Sequence, residues 1–108
     1  MKQKYKVYKD CKMLSYYEDG SPINIADCEF KLGDKEIIVS YWGELDERCL
    51  WRGKKVGEGH YVFKKEGKGS SGNATLHCFP KGTIYDGWWT EQDGDDISEG
   101  MWRIELKI

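Results

Sequence analysis

Residues 25–42 read IADCEFKLGDKEIIVSYW, and this stretch decides the fold class. Apolar residues at the even positions from 26 to 32 alternate with charged residues at the odd positions. Residues 33–35 then turn the chain, and residues 36–42 are rich in β-branched and aromatic side chains. Alternation with a period of two is typical of β-strands that bury one side and expose the other. The stretch therefore predicts two β-strands joined by a short turn.

The same pattern continues along the chain in both directions. Further strands are predicted over residues 4–10, 12–17, 49–56, 59–65, 74–79, 83–91 and 101–108. The first two of these are either separate or continuous, and so are 49–56 and 59–65, whereas 92–100 is predicted to be a longer loop. The best helical candidate, residues 43–51, supports at most one short turn.

The connections between these segments are short and rich in Gly and Asp, and short connections can join only antiparallel neighbours. We therefore predict one all-β domain over residues 1–108, a small antiparallel up-and-down β-barrel of 7–8 strands. Closure would remove the exposed sheet edges of such a meander. A two-sheet sandwich is the alternative.

Composition narrows the possible partners. Aromatic residues make up 14% of the 108 residues, beside 13 glycines, which suits tightly turned β-sheet. The net charge of −2 and the dispersed basic residues disfavour nucleic acid, which requires a basic patch. No apolar run approaches the roughly 20 residues of a membrane span, and the N-terminus lacks the apolar core of a secretory signal. We expect a cytoplasmic protein that binds neither nucleic acid nor membrane.

The four cysteines are then expected to be free thiols, with an extracellular disulfide framework as the alternative. Cys28 and Cys78 lie at apolar positions of their strands, which favours burial and low reactivity.

The segment GKGSSG at 67–72 matches the glycine pattern of dinucleotide-binding folds. Such a site requires a helix directly after the glycines, whose amides hold the pyrophosphate. Here the alternating segment NATLHCF follows, so no dinucleotide or other cofactor is expected. The segment is predicted to be the tip of a β-hairpin at one end of the barrel.

Metal and catalytic sites have little support. His60 and His77 can meet across a hairpin if the register allows, but two histidines make a weak metal site without a third ligand. Asp86 shares a strand face with Trp88, and this face is interpreted as solvent-facing rather than buried. An isomerase or hydrolase that uses His60 or His77 remains an alternative, although no recognised catalytic arrangement is complete.

The aromatic residues give the main functional hypothesis. An eight-stranded barrel either fills its interior with side chains or holds one small ligand. We predict a ligand site walled by Trp51, Tyr61, Trp89 and Trp102. The polar end of the ligand would be oriented by residues from the set Arg52, His60 and Arg103. We expect the barrel to be a homodimer. If it is packed solid, outward-facing aromatic residues would instead indicate a protein-interaction module that binds a partner chain.

Two segments carry a resemblance to a known group of barrels. GWWTEQDGDDISEGMWRIEL, residues 87–106, resembles the calycin-type barrels: lipocalins, fatty-acid-binding proteins and avidins. Lipocalins combine a Gly-x-Trp on the first strand with a basic residue near the last. The nearest equivalents here are Gly87-Trp88-Trp89 and Trp102-Arg103, with the Gly-x-Trp on the penultimate strand instead.

WRGKKVGEGHYVF, residues 51–63, also resembles a segment of small bacterial lipocalin-like proteins of unknown function. The resemblance covers about residues 49–108. It implies a lipocalin/avidin-like barrel with a small hydrophobic or aromatic ligand inside.

Overall fold

A computed structural model describes residues 4–23, 27–43, 46–67 and 71–108. Every regular element in these ranges is a β-strand. The strands are β1 (Lys6–Tyr17), β2 (Pro22–Ile23), β3 (Asp27–Leu32), β4 (Glu36–Trp42), β5 (Arg48–Gly57), β6 (His60–Glu66), β7 (Ser71–His77), β8 (Ile84–Asp93) and β9 (Asp96–Glu105). Within the same ranges there is no helix long and apolar enough to cross a membrane.

The strands form one closed antiparallel barrel. From β3 to β9 each strand pairs with the next along the chain, and β1 pairs with both β3 and β9. The β1–β9 pairing closes a ring of eight strands, and β2 adds a short ninth strand beside the end of β1. The predicted up-and-down barrel is therefore confirmed, and the sandwich alternative is wrong.

A bulge interrupts the pairing of β1 with β3. The register shifts between Tyr8 and Cys11, and Asp10 within the bulge has a φ of 56°. Aspartate tolerates this left-handed conformation better than most residues because its short side chain bonds locally. The bulge inserts an extra residue, so Tyr8 and Cys11 both contribute to the interior despite their odd spacing.

Most strand boundaries match the sequence-based expectations, and the departures are local. β4 matches the predicted 36–42, and the segments 4–10 and 12–17 form the single strand β1. Within 43–51, the best helical candidate, β5 begins at Arg48, while residues 44–45 lie outside the described ranges. Residues 68–70 of the glycine-rich segment also lie outside them, and β7 begins at Ser71 where a dinucleotide site would need a helix.

The prediction of a longer loop over residues 92–100 is wrong. β8 and β9 remain paired as far as Asp93 and Asp96, so only a two-residue turn joins them. Gly94 in that turn has a φ of 62°, the conformation that tight hairpin turns demand of glycine. The acidic residues that indicated a loop instead lie on a long hairpin.

The middle of the barrel is packed with side chains. Phe30, Ile37, Val39, Phe63, Leu76, Ile104 and Cys11 have no exposed surface. Two inward glycines make room for large rings: a Cβ at Gly53 would overlap the ring of Phe63, and one at Gly72 would contact Trp51. The centre therefore provides stability, and any ligand site must lie nearer an end of the barrel.

Candidate ligand-binding site

A cavity of about 190 Å³ lies at the end of the barrel where β1, β4 and β6 end and β5 and β9 begin. We call it the mouth cavity. Its lining consists of Ser15, Tyr17, Ile23, Tyr41, Gly43, Glu47, Cys49, Trp51, Lys65, Trp89, Glu91, Ser98 and Trp102. The lining combines aromatic rings from five strands with carboxylate, ammonium and hydroxyl groups, which is the mixture expected of a small-molecule site.

Three indole rings form the aromatic wall of the mouth cavity, and each is fixed by a hydrogen bond. Trp51 and Trp102 lie 5.5 Å apart between ring centroids. Trp51 Nε1 donates to the hydroxyl of Tyr41 at 2.9 Å, and Trp102 Nε1 donates to the Thr75 carbonyl at 2.9 Å. Trp89 Nε1 donates to the Met101 carbonyl at 3.3 Å. Because these rings are already held in place, ligand binding loses little conformational entropy in ordering them.

Tyr41 also offers the cavity a hydroxyl donor. Burial raises the pKa of the Tyr41 phenol, an effect that the hydrogen bond from Trp51 partly opposes. The phenol is therefore protonated at neutral pH. Because its oxygen accepts from Trp51, its own O–H remains to be directed elsewhere, including toward a ligand.

Charged groups enter the same cavity from inward positions. Lys65 Nζ lies 3.5 Å from Glu91 Oε2, and their side chains are only 14% and 28% exposed. Glu47, an exposed residue in the connection before β5, also lines the cavity, and its Oε1 lies 3.7 Å from Cys49 Sγ. Glu47, Glu91 and Lys65 together carry two negative charges and one positive charge. The mouth cavity therefore favours a neutral or positively charged polar group over an anion.

The sequence predicted four aromatic residues for the ligand site, and three of them line the mouth cavity. Trp51, Trp89 and Trp102 are all buried and face it. Tyr61 also faces the interior but lies at the opposite end, where its ring centroid is 6.3 Å from that of Tyr85. The period-two pattern determines which side chains face inward, whereas the strand register determines where along the barrel axis each of them lies.

The expectation that Arg52, His60 and Arg103 face the interior is corrected by the structure. Each is adjacent in sequence to a buried residue, so its side chain lies on the outer surface. Arg52 forms ion pairs there with Glu36 and Glu66. These three side chains do not reach the mouth cavity.

Tyr41, Glu47, Lys65 and Glu91 were missed by the sequence-based prediction. A usable signal existed for two of them. Lys65 has the same strand parity as Phe63, and Glu91 has the same parity as Trp89, so both charged residues occupy inward positions. Charged residues are almost never fully buried unless they are paired, so such positions indicate either a paired interior charge or a ligand site.

The opposite end of the barrel contains a larger but less organised cleft of about 340 Å³. It lies beneath the connection between β7 and β8, and Tyr61, Tyr85 and Leu106 contribute to it. Part of the lining is the exposed residue Phe79 and the chain end at Ile108, which are 88% and 90% exposed. The described residues that line this cleft include no indole ring, whereas three hydrogen-bonded indoles wall the mouth cavity, so this end is the weaker candidate.

The two histidines meet on the outer surface, as the hairpin prediction required. His60 and His77 are directly paired across β6 and β7, with ring centroids 4.8 Å apart. Asp86 is opposite His77 on the other side, but its Oδ1 accepts from Arg103 Nε at 2.7 Å. Among the described residues no group of three or more side chains is arranged to hold a metal ion.

The four cysteines are free thiols. Cys28 is buried, as expected, and burial raises the pKa of its thiol to about 12, so the unreactive protonated form dominates. Cys78 is only partly buried, and burial again raises its pKa. A nucleophilic cysteine requires a lowered thiol pKa instead.

Comparison with protein-family models, curated proteins and solved structures finds no match to this chain. At the level of the fold, the closed antiparallel barrel is compatible with a lipocalin-like protein. The structure also places Gly87 and Trp102, two residues of that resemblance, directly opposite each other on β8 and β9. The functional argument therefore depends on the geometry of the barrel itself.

Proposed function

We propose that the protein binds a small organic molecule, about the size of one aromatic ring, in the mouth cavity. The observation that supports this most directly is an aromatic cavity with inward charged groups at the end of an otherwise packed barrel. Ordinary pockets for drug-sized ligands measure about 300–1,000 Å³, and an engineered apolar cavity of about 150 Å³ binds benzene. A volume of about 190 Å³ therefore suits one ring with a short polar substituent.

The chemistry of the lining defines the ligand further. The indoles of Trp51, Trp89 and Trp102 provide apolar contact, while Tyr41 can donate and Glu47 can accept a hydrogen bond. Because carboxylates outnumber ammonium groups, a neutral or cationic substituent is preferred. This refines the expectation of a hydrophobic or aromatic ligand by adding a polar end and by limiting the size.

The affinity follows from the size of the ligand. Benzyl alcohol has about eight non-hydrogen atoms, and small ligands gain roughly 0.6 kcal/mol per atom, which corresponds to a Kd of about 0.3 mM. Isothermal titration with benzylamine, benzyl alcohol and benzoate compares one ring with three different charges. We expect benzylamine and benzyl alcohol to bind and benzoate to bind at least about tenfold more weakly.

The variant Lys65→Met tests whether the mouth cavity is responsible. Removing this ammonium group leaves two carboxylates at the cavity, so the preference for benzylamine over benzoate should increase. The matched control is Lys64→Met, because Lys64 is the preceding residue and its side chain is exposed on the outer surface. The proposal is overturned if none of the three compounds binds, or if Lys64→Met changes the selectivity as much as Lys65→Met.

A further inference from the structure

The outer surface of β6–β9 and β1 carries a row of mostly apolar side chains. Val62 lies opposite Thr75, Trp88 opposite Met101, and Met101 opposite Tyr16. The amide of Trp88 also donates to Thr75 Oγ1 at 3.3 Å, which joins the two halves of the row. We call these five residues the Trp88 row.

The Trp88 row is accessible although its members are mostly apolar. Val62, Trp88 and Met101 are 44%, 40% and 57% exposed. Single exposed apolar residues are common, but contiguous patches that contain Trp, Met and Tyr are typical of protein interfaces. The row is therefore suited to contact with a partner surface, and the charges beside it bear on which partner.

The two sides of the Trp88 row differ in charge, since two carboxylates lie on one side and an arginine–aspartate pair lies on the other. On one side, Glu99 of β9 approaches Glu18, and the hydrogen bond and negative charge of Glu99 raise the pKa of Glu18. On the other side, β9 presents Arg103, paired with Asp86 but still 47% exposed. Along β9 the order is thus acidic Glu99, apolar Met101, basic Arg103, all on the outer face.

We infer that the Trp88 row is a homodimer interface, with a second copy of the chain related by a twofold axis parallel to the row. Such an axis places Trp88 and Met101 against their own counterparts. It also reverses the order along β9, so that Glu99 of each copy meets Arg103 of the other. A twofold axis along the strands would instead bring Glu99 against Glu99 and Arg103 against Arg103, which is repulsive.

A groove beside the row fits this arrangement. It measures about 250 Å³, and Leu14, Tyr16, Met101 and Arg103 contribute to its lining. It lies on the Arg103 side of the row, the side toward which the proposed axis turns Glu99 of the second copy. Interface side chains that fill such grooves contribute most of the binding energy.

Sedimentation velocity measures the assembly directly. The chain has a mass of 12.6 kDa, so the wild-type dimer has about twice that mass. Trp88→Asp should raise the dissociation constant at least about 30-fold, because an interface hot spot is lost on both copies. Val56→Asp is the matched control, because Val56 is 65% exposed on β5 and lies outside the row. It should leave the dimer intact, and circular dichroism verifies folding of both variants.

Charge exchange tests the axis itself. Glu99→Arg and Arg103→Glu should each weaken the dimer, and the double variant should restore it, because the opposite charges then meet again. A monomeric wild type overturns the proposal and would leave the row for a different protein partner. A dimer that survives Trp88→Asp, or a double variant no stronger than the single variants, overturns it as well.

Discussion

Replacing Tyr41 with Phe removes one oxygen atom and tests how the wall of the mouth cavity is held. Tyr41 is 7% exposed and Trp51 is 1% exposed, so the Trp51 Nε1–H would lose its protein acceptor and have only water that enters the mouth cavity as a replacement. A buried polar group left without a partner costs about 1–3 kcal/mol. In a domain of this length each kcal/mol lowers Tm by about 4 °C, so the expected decrease is about 4–12 °C.

Urea unfolding of the wild type and the variant gives the free energy directly, because an unchanged m-value attributes the difference to stability. Tyr8→Phe is the matched control: the same oxygen is removed from a half-buried ring that packs edge-on against Phe30. We expect that control to lie within about 0.5 kcal/mol of the wild type. If Tyr41→Phe is no more destabilising than Tyr8→Phe, the hydrogen bond from Trp51 to Tyr41 does not hold the indole in place. The claim of a preorganised cavity wall is then refuted.

Two further predictions concern the barrel itself. Gly100→Ala should destabilise by at least about 2 kcal/mol, because a Cβ there would overlap the Tyr16 carbonyl and force β1 and β9 apart. Gly57→Ala, whose Cβ would make only ordinary contact at 3.6 Å, should have a much smaller effect in the same urea assay, and equal losses would refute the steric reasoning. Burial raises the pKa of Cys28 to about 12, so its stabilising contribution is complete below about pH 8.5 and is lost progressively as the pH rises toward 12. The free energy of unfolding measured from pH 8 to 12 should therefore fall by up to about 1.4 kcal/mol per pH unit because of this thiol. The variant Cys28→Ala should lack this part of the pH dependence, and an unchanged slope in the variant would contradict the assignment.

The barrel architecture was predictable because two local signals agreed. Alternating side chains defined the strands, and short connections required antiparallel neighbours. The hairpin at 93–96 was not recognised because its strands are acidic and extend where little apolar surface is buried, so alternation is weak there. The bulge at Asp10 was also missed, because no residue pattern in that segment indicates a shift in register.

The candidate site was predictable only in part. Inward orientation of Trp51, Trp89 and Trp102 follows from the alternation in each strand. The same rule places Arg52 and Arg103 outside, because adjacent residues on a strand face opposite sides, so the prediction that they orient a ligand in the interior was inconsistent with it. The meeting of side chains from distant strands at one end of the barrel depends on the register around the whole ring, which no single segment determines.

The central claim is that a one-ring molecule binds among the inward indoles of the mouth cavity. The chain has five tryptophans, and their indole N–H groups give separate signals in a ¹⁵N–¹H correlation spectrum. Trp42 and Trp88 are 61% and 40% exposed on the outer surface and serve as internal controls. Titration with benzyl alcohol should shift the signals of Trp51, Trp89 and Trp102 along one saturable curve and leave the other two in place. Shifts confined to Trp42 and Trp88, or no saturable shift at all, would contradict the account.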